Sequence, residues 1–149
     1  MKGRKVVFLM YKDTLCIAFG LIGAIISFCF GGWSLGLTTL IWFMLIDYAM
    51  GLILAGVFKK SKKSKSGKLS SSASWKGLCK KFISLVLVSL GYRVDLLTGQ
   101  PFVRDAIIIS FIVNELLSIC ENAGLMGIPI PKALTRAIEI LKKEDENVQ

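Results

Sequence analysis

The sequence predicts an all-α integral membrane protein, with about four transmembrane helices followed by a short C-terminal amphipathic helix. Three observations carry this expectation. Of 149 residues, 54% are hydrophobic and only 19% charged, with a mean hydropathy of +0.64, far from the profile of a soluble domain. The apolar runs reach the length of about 20 residues that a hydrocarbon core of about 30 Å requires. The basic residues are gathered in blocks between those runs. Helix is the default for a spanning segment because its backbone groups pair within the segment, and the weak period-2 alternation argues against a barrel.

Taken in order, residues 1–13 form a basic N-terminal segment. Its opening "MKGRK" resembles the start of a signal peptide, but no small-residue cleavage site precedes the next apolar run, so an uncleaved first span is expected. Residues 14–58 read as a helical hairpin of two spans, at 14–30 and 35–58, joined only by "GGWS". Residues 59–77, "KKSKKSKSGKLSSSASWKG", read as a flexible loop carrying Lys59, Lys60, Lys62, Lys63, Lys65 and Lys68, with Ser72 or Ser74 expected to cap the next helix. Residues 78–123 read as a second hairpin, at 78–97 and 102–123, broken by the turn signal "TGQP". These two runs reach spanning length only by including charged residues at their ends, which makes three spans the alternative count. In residues 124–149, Pro131 suits a first turn, and Ala133, Leu134, Ala137, Ile138 and Leu141 share one face opposite Lys132, Arg136, Lys142 and Lys143.

Placing the lysine-rich loop in the cytoplasm puts both termini of a four-span chain there too. All of the nineteen basic residues except Arg93 and Arg104 then lie inside, as the positive-inside rule requires. Three spans would expose one basic terminal segment. Arg93 and Asp95 before the outer turn face Arg104 and Asp105 after it, which permits crossed ion pairs at the hairpin neck. Adhesion of the loop lysines to anionic membrane lipids is compatible with this topology.

Composition excludes several classes. The net charge of +9 would suit nucleic acid, yet the lysines and arginines lack the interleaved aromatics of such a surface, so no nucleic-acid partner is expected. Cys16, Cys29, Cys79 and Cys120 form no CxxC pair and there is no histidine, so neither disulfide framework nor metal site is predicted. No phosphate loop, nucleophile elbow or HExxH appears, and Asp47, Gly51 and Ala55 lack the further acidic ligands a lipid enzyme would need. No catalytic residue, no cofactor and no enzymatic activity are expected.

The informative stretch is "SFIVNELLSICENAG". On a helix, Asn114, Glu115, Ser118, Glu121 and Asn122 fall within about 120° of one another, opposite Ile112, Val113, Leu116, Leu117, Ile119 and Cys120. One face suits lipid; the other must find protein or water. With Asp47, these are the candidates for a polar stripe lining a pore. No lysine or arginine is expected beside Asp47, Glu115 or Glu121 in the middle of a span, and burial of an unpaired carboxylate favours its neutral form. The expectation is a chain with two states, one hiding the stripe and one wetting it. Gly20, Ala24, Ser27 and Gly31 in span one, Gly51 and Ala55 in span two, and Gly91 in span three are small residues where helices can approach closely.

Several strings together resemble the bacteriophage holins of the toxin-secretion/phage-lysis family: "DYAMG" at residues 47–51, "GKLSSSASWKGLCKK" at 67–81 and "NELLSICENAGLMGIPIP" at 114–131. The resemblance implies a small multi-pass protein of the bacterial inner membrane that homo-oligomerises abruptly into lesions. Endolysin or toxin would then be released cargo, and an antiholin a further partner. An antiholin, a small ion channel or a transporter subunit are the rival readings.

Overall fold

The computed structural model describes residues 2–61, 67 and 69–136, with side chains from Lys12 onward. Its elements are α1 (Lys2–Phe30), α2 (Leu35–Ile53) continuing into a π-helical turn (Leu54–Phe58), α3 (Ser71–Thr98) and α4 (Val103–Leu125), with no strand among the described residues. Residues 132–136 are helical, and the rest of the expected amphipathic segment lies outside the described residues, as do Lys62, Lys63, Lys65 and Lys68.

Two helical segments, Lys12–Phe30 with 19 residues and Leu35–Phe58 with 24, are long and apolar enough to cross a membrane. The joint between them is built locally. Gly31 and Gly32 take left-handed φ values of 73° and 96°, ending α1, and the Ser34 hydroxyl accepts from the Leu37 N–H at 3.1 Å to cap α2.

Cap geometry moves the start of α3. Ser70 is extended at φ −130° and occupies the N-cap position, so the helix begins before the expected Ser72 or Ser74. Lys76, which falls in the expected 59–77 loop, is therefore a helical residue, as Lys80 and Lys81 are.

α4 is the centre of the bundle: α2 and α3 both pack along it and touch each other little. Leu37, Leu40 and Met44 of α2 meet Val88 of α3 and Ile108 of α4 in one apolar core. The α3–α4 crossing is close because Gly91 has no side chain; a Cβ there would lie 2.7 Å from Ile107 Cδ1 and 3.1 Å from the Arg104 Cα.

α1 departs from the expected hairpin. It packs on α3 through its last turn rather than along α2, and its membrane-length window is wholly unburied. The attachment satisfies carbonyls that a helix end leaves without partners. Ser89 Oγ donates to the Cys29 carbonyl at 2.8 Å, Arg93 to the Phe28 carbonyl at 3.0 Å and Arg104 to the Phe30 carbonyl at 2.9 Å. Cations are favoured at a helix C-terminus, so the two arginines serve α1.

The crossed ion pairs expected at the α3–α4 neck do not form. Arg104 pairs with its neighbour Asp105 at 2.9 Å. Asp95 is buried and accepts backbone N–H groups of Phe102, Val103 and Arg104 at 3.2, 2.7 and 3.1 Å, capping α4 from the preceding helix. Three unpaired amides at a helix start outcompete an arginine for one carboxylate in that position.

Candidate functional site

Away from the apolar core, toward the lysine-rich loop, the same three helices meet through charge. Asp47 stands twelve residues beyond Leu35 and Glu115 twelve beyond Val103, so both carboxylates lie about 18 Å along their helices from the turn end of the bundle. Lys81 of α3 reaches between them. Its Nζ lies 2.9 Å from Asp47 Oδ2 and 2.5 Å from Glu115 Oε2, and Asn122 Nδ2 donates to Asp47 Oδ1 at 2.9 Å.

This corrects the expectation that no cation meets these acids. The side chains of Lys81, Asp47 and Glu115 are 13%, 4% and 13% exposed, so the pairs are largely out of water. The reason is relative height: Lys81, on the third turn of a helix that starts at Ser71, comes level with residues twelve positions into α2 and α4. A signal was present: Lys81 precedes Ser84, Val88 and Asp95 by three, seven and fourteen residues, on the face that α3 buries.

The expected polar stripe divides. Glu115 and Asn122 join the charge cluster; Asn114 and Ser118 line a cleft beside it; Glu121 is half-buried and does not line that cleft. In this arrangement Glu115 and Asn122 face the other helices, while Asn114 is exposed. Among the described residues every buried side-chain nitrogen or oxygen has a hydrogen-bond partner. An inner-face polar network so fully satisfied is stable as it stands, and removing one member strands the rest.

The cleft has a volume of about 460 Å³ and lies between the α2 C-terminal half with its π-turn and the α3 N-terminal half, with α4 as its floor. Gly51 and Ala55 line it; the space beside Gly51 is open, while Ala55 is buried. Of the other small-residue candidates, Gly20, Ala24 and Ser27 are exposed on α1, Gly31 follows its last residue and lies against the Tyr92 ring of α3, and Gly91 lies at the α3–α4 crossing. Lys59 and Lys60 are exposed after the π-turn. No group of metal-ligating side chains occurs among the described residues.

Comparison with known proteins places this architecture. The bacteriophage holin family matches residues 24–143, which include α2, α3, α4 and the whole charge cluster. Among curated relatives, an uncharacterized protein of Halalkalibacterium halodurans is 35% identical over 130 residues, covering 83% of this chain and 90% of the relative. An uncharacterized protein of Listeria monocytogenes is 36% identical over 127 residues, covering 83% of this chain and 85% of its own length. An uncharacterized 14.9 kDa protein from the nagH 3' region of Clostridium perfringens is 33% identical over 125 residues, covering 83% and 89%. No solved structure matches. On these matches the chain belongs to the bacteriophage holin family, and it is a membrane-associated protein without enzymatic activity.

Proposed function

We propose that the chain is a holin that homo-oligomerises in the bacterial inner membrane and opens lesions at a timed moment, releasing endolysin or toxin as cargo. In this reading four spans cross the bilayer, with both termini and the lysine-rich loop in the cytoplasm. The observation that carries it is the Lys81 cluster, which holds α3 to α2 and α4 by charge at a level where most helix surfaces are apolar. Ionisable groups at such depth are costly and mark functional pathways. An apolar seam has no stable arrangement facing water. A seam of Asp47, Lys81, Glu115, Asn114 and Ser118 has two, one paired and dry, the other separated and hydrated. The same residues therefore serve the harmless state and the open one. The unpacked face of α1, with Gly20, Ala24 and Ser27, supports the reading by leaving a small-residue surface for a second copy, since lipid-facing helices associate through close packing.

Timed expression in a bacterium carrying a cytoplasmic reporter enzyme tests it. The expected result is normal growth, then abrupt arrest with reporter in the medium. Slow ion leakage without reporter release identifies a channel or transporter subunit instead, and delayed lysis on co-expression with a second holin identifies an antiholin. The double variant Glu115→Gln/Glu121→Gln at equal expression separates the stripe from the rest: unchanged permeabilisation removes it from the lesion.

A further inference from the structure

The cleft beside the charge cluster has a use that lysis does not absorb. Its floor acids, Asp47 and Glu115, are engaged by Lys81, so they do not neutralise the two other lysines that line it. Lys76 and Lys80 are exposed and make no ion pair among the described residues. With Lys81 set against two carboxylates, the cleft carries a net excess of one positive charge, concentrated at Lys76 and Lys80. Its opposite wall is apolar, with Leu52 and Ala55.

Space is kept open from both walls. Gly51 on α2 and Gly77 on α3 both line the cleft, and a Cβ added at either meets no atom within 4 Å. The level also matters. Ala55 stands twenty residues beyond Leu35, about 30 Å along the helix, at the end of a hydrocarbon core's thickness. Trp75, 66% exposed next to Lys76, sits where tryptophans gather at the headgroup boundary.

We propose that this cleft binds one anionic phospholipid, its phosphate diester held by Lys76 and Lys80 and its acyl chains running along the Leu52 wall. The chemistry recognised is a phosphate anion; the amphipathic lining selects a lipid over a soluble phosphate. An occupant there bridges α2 and α3, which touch each other little, so lipid composition becomes a determinant of how firmly α3 is held.

Full-length protein in micelles of a zwitterionic detergent is titrated with phosphatidylglycerol, phosphatidylcholine or inorganic phosphate, with retained molecules counted by native mass spectrometry. The expected result is one phosphatidylglycerol per chain, with no retention of the other two. Lys76→Gln/Lys80→Gln weakens retention about tenfold or more. Gly77→Leu, which keeps every charge and fills the space, weakens it comparably, and Gly51→Leu does so from the opposite wall; unchanged helix content by circular dichroism shows that each variant folds. Wild-type retention in both glycine variants overturns the proposal in favour of diffuse attraction to the loop lysines. Inorganic phosphate bound as tightly as the lipid overturns it in favour of a soluble-anion site. Because the readout is lipid retention and not lysis, its failure leaves the holin reading standing.

Discussion

The two ends of the α2–α3–α4 bundle are held by different forces. Toward the turns, Leu37, Leu40, Met44, Val88 and Ile108 interlock with no charged group among them. Toward the lysine-rich loop, Lys81 joins Asp47 and Glu115 beside an open cleft. In a bilayer the first contact draws on shape, because lipid tails are as apolar as the side chains they replace. The second draws on pairing that hydrocarbon cannot supply and water can. The difference locates where the bundle yields: the apolar end has no alternative partner in water, whereas the charged end does.

The largest expected effect breaks the charged end. Lys81→Met leaves two buried carboxylates facing each other without a cation and should lower stability by about 3–5 kcal/mol. The triple variant Asp47→Asn/Lys81→Met/Glu115→Gln should recover most of that loss. Unfolding midpoints in detergent, followed by circular dichroism, check both; a single variant as stable as wild type would remove the cluster as a determinant of the fold.

A smaller effect is expected at the apolar end. Leu40 is fully buried, and Leu40→Ala opens a cavity. Because the removed methyl groups would otherwise contact lipid rather than water, the loss should stay near the low end of core truncations, about 2 kcal/mol. A loss larger than that of Lys81→Met would reverse the comparison.

The smallest effect concerns α1, which is attached at the turn end through its last turn. Ser89→Ala removes one donor to the Cys29 carbonyl and should cost about 0.5–1.5 kcal/mol. Faster amide hydrogen exchange confined to residues around 27–31, with the core unchanged, is the expected signature.

How much of this was legible in the sequence differs by element. The α3–α4 turn was readable because "TGQP" carries its own backbone chemistry: Gly99 takes φ 68° and ends α3. Asn114, Glu115, Ser118 and Asn122 could be placed on one face because helical period alone sets relative direction. Lys81 was not legible as their partner, because the period of one helix gives direction but not height against Asp47 of α2 and Glu115 of α4. The crossed pairs expected of Arg93 and Arg104 failed for a related reason: the α1 carbonyls that capture them are more than sixty residues away in the chain.

By itself, then, the sequence determined a helical membrane chain, the residues its helices turn to a common face, and its family. Only the tertiary structure decided which faces meet: that α4 lies between α2 and α3, that α1 stands largely apart, and that one lysine closes on two acids. Periodicity is a property of a single helix, whereas pairing depends on the relative height and rotation of several, and those are set by packing such as that at Gly91 and by caps such as Asp95.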